Sequence, residues 1–143
     1  MKKYIVGTNH TGYLESRNFY SLPFENFKFK KFYDWCKIID HLNFRLKNQN
    51  HLFCHNFHND ILIPCKPDLY HFFHTVSATK RPWIVTHSGH LPRYIANSAY
   101  KTNIEKGFKV LAGINCKKII SICNNSKNYL MFSLEQFPQY KEA

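Results

Sequence analysis

The sequence predicts a single α/β domain, a Rossmann-like parallel sheet flanked by helices. Three observations carry this. Short runs rich in Val, Ile, Phe, Tyr and Trp alternate with longer stretches whose apolar residues recur at three- and four-residue steps. Such alternation favours parallel strands joined by right-handed crossovers. The 143 residues, 44% of them hydrophobic and 17% aromatic, suffice for one domain, 1–143, with its own core. Finally, the most strand-like run, Trp83-Ile84-Val85-Thr86, stops at a polar turn, His87-Ser88-Gly89-His90. Ligands of open α/β sheets sit outside the carboxyl ends of strands.

Residues 3–6 read as the first strand. The polar loop Gly7-Thr8-Asn9-His10-Thr11-Gly12 follows. Its glycines suit close approach of a substrate to the backbone, with an ordinary turn as the plainer reading. No GxGxxG or GxxxxGK[ST] occurs, so no phosphate cradle is expected. Residues 15–29 read as an irregular loop held to the core by its aromatics. Phe24, Phe27 and Phe29 interleave there with Lys28, Lys30 and Lys31, a pattern that also suits base stacking or a membrane surface. Residues 31–46 carry Phe32, Trp35, Cys36, Ile39, Leu42 and Leu46 at helical spacing, which predicts an amphipathic helix.

Residues 51–57 read as a second strand, followed by a turn at His58-Asn59-Asp60. Residues 69–73 read as a third strand, and 75–80 as a polar connection. The strand at 83–86 follows, opened by Pro82, whose missing N–H does least harm there. Residues 96–112 predict a helix ended by Gly113, and 116–123 a buried strand. Asn124-Asn125-Ser126 suits the cap of a last helix, broken at Pro138.

The formal charge of +11 points to an anionic partner: nucleic acid, an acidic membrane face or a phosphorylated ligand. Part of it is compositional, since the chain is rich in the AT-coded residues Lys, Asn, Ile, Phe and Tyr. Five cysteines, an odd number without a CxxC pair, suit free thiols in a reducing cytoplasm. Met-Lys-Lys precedes too short an apolar run for a signal peptide, and no stretch has the ~20 apolar residues of a membrane span. The expectation is a cytoplasmic protein, in peripheral contact at most with an anionic inner membrane face.

The nine histidines include the pairs His55/His58, His71/His74 and His87/His90. In strands, i and i+3 point to opposite faces, so no metal site is expected. No GxSxG elbow occurs, and Cys36, Cys116 and Cys123 read as core thiols. A histidine at a strand's carboxyl end can act as a general base near neutral pH, which makes His87 the leading catalytic candidate. The alternative is a histidine hydrogen-bonded within its turn. The main non-enzymatic alternative is a small basic nucleic-acid-binding domain, although no recognised binding motif is present.

Asp68-Leu69-Tyr70-His71, Pro82-Trp83-Ile84-Val85-Thr86 and Cys116-Lys117-Lys118-Ile119-Ile120-Ser121-Ile122 occur in that order. Together they resemble the amino-terminal half of the GT-B retaining glycosyltransferases that build bacterial surface polysaccharides. The resemblance covers residues 68–93 and 116–130. It implies an acceptor-binding domain with His87 as base or acceptor contact. Ser88, His90 and Arg93, with Gly7, Asn9 and Gly12 of the first loop, would line the same cleft and meet a sugar or lipid-linked acceptor. The family often has Glu or His two places after the Thr, where this chain has Ser88, and Ser-Glu where it has Cys123-Asn124. The family's sugar-nucleotide donor is held by a second domain, which 143 residues leave no room for. The resemblance therefore implies no cofactor here and no hexosyl transfer unless a second domain or subunit completes the cleft.

Overall fold

The computed structural model describes residues 3–9, 20–32, 38–39, 42, 57–60, 66–93 and 100–141, the side chains of 100–103 excepted. Its centre is a five-stranded, fully parallel sheet. The strands are β1 (Tyr4–Thr8), β2 (Phe27–Lys31), β4 (Leu69–Phe73), β6 (Trp83–His87) and β7 (Cys116–Ser121). They lie side by side in the order β2-β1-β4-β6-β7. Two further strands, β3 (Phe57–His58) and β5 (Val76–Ser77), form a small parallel pair of their own. Helices α1 (Tyr100–Leu111) and α2 (Asn124–Glu135) follow β6 and β7, and a short 3-10 turn spans Pro138–Tyr140. This is a Rossmann-like α/β architecture, as the sequence predicts.

Register and period two assign the faces of the sheet. Gly7, Tyr70 and Trp83 are cross-strand neighbours, as are Phe72, Val85 and Ile119. That face meets Ile104, Phe108 and Leu111 of α1 and Leu130 of α2 in one buried cluster. Burying a side chain the size of Phe72 or Phe108 contributes ~1.5–3 kcal/mol. Val6, His71, Phe73 and Thr86 are buried on the opposite face. Tyr20 edges onto His71 and Phe73 there and donates to the His71 carbonyl at 2.8 Å.

The helix termini have clear causes. Gly113 and Ala112 donate to Val110 and Phe108 and close α1, as Gly113 suggests. Cys123, in extended backbone, caps α2. The Ser126 hydroxyl reaches back to accept from the Cys123 N–H at 3.1 Å. The cap thus lies one residue before the predicted Asn124.

Cys123 is exposed rather than a core thiol, and 116–121 form a half-exposed edge strand rather than a buried one. Of the predicted helix 31–46, residues 38, 39 and 42 are helical and the rest beyond Phe32 lies outside the described residues, as does the predicted strand 51–57 except Phe57. Four expectations about the elements also need correction. Residues 27–31 are not irregular, and no helix begins at Lys31: they form β2, in parallel register with β1. Lys28, Lys30 and Lys31 point charge at water from an edge strand, which made the segment look loop-like. Residues 75–80 are not merely a polar connection, because Val76 and Ser77 are fully buried in β5. His58 belongs to β3 rather than to a turn, outside the main sheet.

The fourth concerns the first loop. β1 runs on to Thr8, so Gly7 is a strand residue and not part of an acceptor loop. A Cβ at Gly7 would lie 2.6 Å and 2.7 Å from Tyr70 ring carbons and 2.9 Å from Phe32. The glycine is there so that two rings can pack on the backbone of β1. Gly7→Ala should therefore destabilise the domain by ~1–3 kcal/mol through overpacking, read as a lower urea midpoint. An unchanged midpoint would remove this account of Gly7.

Candidate functional site

β2 and β4 flank β1 on opposite sides, so the chain reverses direction across the sheet between β1 and β4. Crevices in such sheets open at the carboxyl ends of the strands on either side of the reversal. Asn9 follows β1 at that point, and His74 and Thr75 follow β4. The Asn9 side-chain amide donates to the Thr75 hydroxyl, and its carbonyl oxygen accepts from the Phe73 N–H at 3.4 Å. Thr75 donates in turn to the Phe73 carbonyl at 3.2 Å. His74 has a φ of 54°, the left-handed region, which few side-chain-bearing residues adopt. Backbone outliers of this kind cluster at functional sites. His74 Nε2 lies 2.9 Å from the Ser88 hydroxyl, joining the ends of β4 and β6.

The next strand ends are tied in the same way. His87 closes β6 with no exposed surface. Its Nδ1 donates to the Gly89 carbonyl at 2.7 Å, so Nε2 of the neutral ring accepts from Ser121 of β7 at 2.8 Å. Burial, aided by the nearby Arg93 charge, holds its pKa below the ordinary histidine value against the opposing Gly89 contact. With both nitrogens engaged inside the fold, His87 is a positioning residue in this conformation. It fixes the turn that presents Ser88 and His90, both exposed.

The predicted site residues thus divide. Asn9, Ser88 and His87 join one hydrogen-bonded edge. Arg93 adjoins it closely enough for its charge to lower the pKa of both His74 and His87. His90 sits beside it, its ring 4.5 Å from that of Tyr129 on α2. Buried Leu91, joined to Pro92 by a cis bond, anchors the turn behind them. Gly7 lies inside the sheet, and Gly12 falls outside the described residues. Sequence reasoning missed His74 and Thr75 as site residues, because only strand order reveals that β1 and β4 flank the reversal.

Buried histidines surround this edge. His71 Nε2 lies 2.8 Å from the Thr86 hydroxyl, and His58 Nδ1 lies 2.7 Å from that of Ser77. Burial lowers His58, His71 and His74 to about 4. For His58 burial outweighs the opposing charge of Asp60, and for His74 the charges of Arg93 and His87 add to it. Among the described residues, no three His, Cys, Asp or Glu side chains converge to hold a metal. Likewise, no described helix is long and apolar enough to cross a membrane.

No family model, curated protein or solved structure matches the chain. The fold and the edge define its class: a parallel α/β sheet with polar side chains gathered at the carboxyl ends of its strands.

The histidines set a pH dependence. Their folded pKa lies below the ordinary 6.5, so the unfolded chain binds more protons in between. Their stabilising effect is whole above pH 6.5 and falls away as pH drops toward about 4. Near pH 5, His71→Gln should take up about one proton fewer on unfolding than the parent, measured from the slope of stability against pH. Equal slopes would show that His71 titrates normally in the fold.

Proposed function

We propose that this chain is the acceptor-binding half of a glycosyltransferase of surface polysaccharide biosynthesis, active only when a donor-binding domain or subunit completes the cleft. One observation carries the reading. Side chains from three strand ends, Asn9, His74 and Ser88, converge with Arg93 at the edge where such sheets bind ligands. The strands concerned include the segments that carry the glycosyltransferase resemblance.

The chemistry divides among these residues. His74 and His87 are held neutral, which leaves Arg93 as the cation that adjoins them. A guanidinium suits a phosphate-bearing, lipid-linked acceptor, which it grips with paired N–H donors. Ser88 and His90 offer exposed polar groups to acceptor hydroxyls. Asn9 and His87 hold the two sides of the edge in register. In this reading the protein works in the cytoplasm, in peripheral contact with the inner membrane face.

The test is a titration of isotopically labelled protein with an isoprenyl phosphate and with simple sugars, followed by NMR. Saturable shifts should gather at Asn9, Ser88, His90 and Arg93. Arg93→Ala should weaken binding of the phosphate about tenfold or more, since hydrogen bonds to charged groups are worth ~1.5–3 kcal/mol. Absence of any saturable shift at this edge would overturn the reading.

A nucleic-acid-binding function is the second reading, and β2 favours it. This edge strand exposes Lys28, Lys30, Lys31 and Phe27 together, which suits backbone neutralisation with base stacking. Binding of oligothymidylate that persists at ~0.15 M salt, with shifts confined to β2, would select it over the first.

A further inference from the structure

A concavity lies away from the carboxyl edge, between α1, β7, α2 and the terminal turn. Its volume is 320 Å³. Phe108, Leu111, Ile119, Leu130 and Leu134 supply apolar lining, and Cys116 lies among them. Three exposed lysines, Lys117, Lys118 and Lys141, border it, and among the described residues no acidic side chain lines it. At ~30 Å³ per water-sized group, the space takes about ten methylenes. An apolar lining bordered by three lysines suits a single hydrocarbon chain ending in an acid.

The strand itself argues against another sheet as occupant. β7 is the last strand of the sheet on this side. Its register with β6 is interrupted between Trp83 and Ile84, so Lys117 is the extra residue of a bulge. Bulges and lysines on an edge strand discourage strand addition. The thiol of Cys116 is half-buried, and burial raises its pKa to about 11 against a weaker opposing contact at Lys118, as a group facing an apolar space would have.

We propose that this groove binds a medium-length fatty acid or similar single-chain anionic amphiphile, its chain over the half-buried Ile119, Leu134 and Tyr140 and its acid group at Lys117, Lys118 and Lys141. The groove is separate from the edge at His87 and Ser88, and the proposal does not depend on the glycosyltransferase reading.

Decanoate, decanol and decyltrimethylammonium, each below its micelle concentration, test it by calorimetry on the intact chain. Decanoate should bind saturably at one site, decanol about tenfold more weakly, and the cation not at all. Combined Lys117→Glu, Lys118→Glu and Lys141→Glu should weaken decanoate about tenfold. In the unmodified chain, decanoate should also slow alkylation of Cys116 by N-ethylmaleimide, located by peptide mapping. Failure of decanoate to saturate, equal affinity for decanol, or unprotected Cys116 would each overturn the proposal. So would a concentration-dependent dimer abolished by the lysine reversals, which would assign the groove to a second copy.

Discussion

The packing of Tyr70 and Phe32 over Gly7 is the constraint on which the rest of this domain depends. It lets β1 and β4 lie in contact with a large ring across the missing side chain. That contact sets the register Val6 with Leu69, Gly7 with Tyr70 and Thr8 with His71. Asp68 reinforces it at the amino end, where its carboxylate accepts from the Ile5 N–H at 2.8 Å. At the carboxyl end the same register brings Asn9 against Phe73 and Thr75. A slip of one residue would turn Val6 and Thr8 toward the helices and move Asn9 away from β4. The packing of the core and the geometry of the candidate site are therefore one fact seen from two ends of β1.

Burial of polar groups then gives the edge its electrical character. Among the described residues, each of the four buried imidazoles has a hydroxyl within hydrogen-bond distance: Ser77 for His58, Thr86 for His71, Ser88 for His74 and Ser121 for His87. A hydroxyl can donate or accept, so it meets one nitrogen of a neutral ring without a counter-charge, although Nε2 of His58 is buried with no hydrogen-bond partner among the described residues. A buried imidazolium would need a carboxylate, and nine Asp and Glu in the chain supply few. Among the described residues the four buried histidines are held neutral, and the positive charge stays on exposed lysines and half-buried arginines.

The main strands were legible in the sequence wherever burial on both faces made a continuous apolar run. Residues 69–73 and 83–86 match β4 and β6 within one residue for this reason. β2 was not legible, because an edge strand needs no apolar run and Phe27-Lys28-Phe29-Lys30-Lys31 resembles a basic loop. The short β3 and β5 pair is set by tertiary contact, since two residues carry no periodicity. At the site, the turn after β6 could be found from its composition. His87 looked reactive, because strand-end position is visible in sequence while the Ser121 and Gly89 partners that enclose it are not. His74 went unrecognised because its importance comes from the order of strands, which sequence does not state.

β7 links the apolar groove to the candidate edge. Cys116 at its start lines the apolar groove, and Ser121 at its end holds His87. Five residue steps of ~3.3 Å separate them by about 17 Å. A chain of about ten methylenes that fills the groove leaves none over to reach the cleft. One small amphiphile cannot therefore occupy both. The bulge at Lys117 also falls at the groove end of β7, while β6 and β7 stay in regular register from Ile84 to His87. Adjustment at the groove can be absorbed at that irregularity, before it reaches the paired ends that position Ser88 and His90. The groove and the candidate edge thus sit at opposite ends of one regular stretch of parallel sheet.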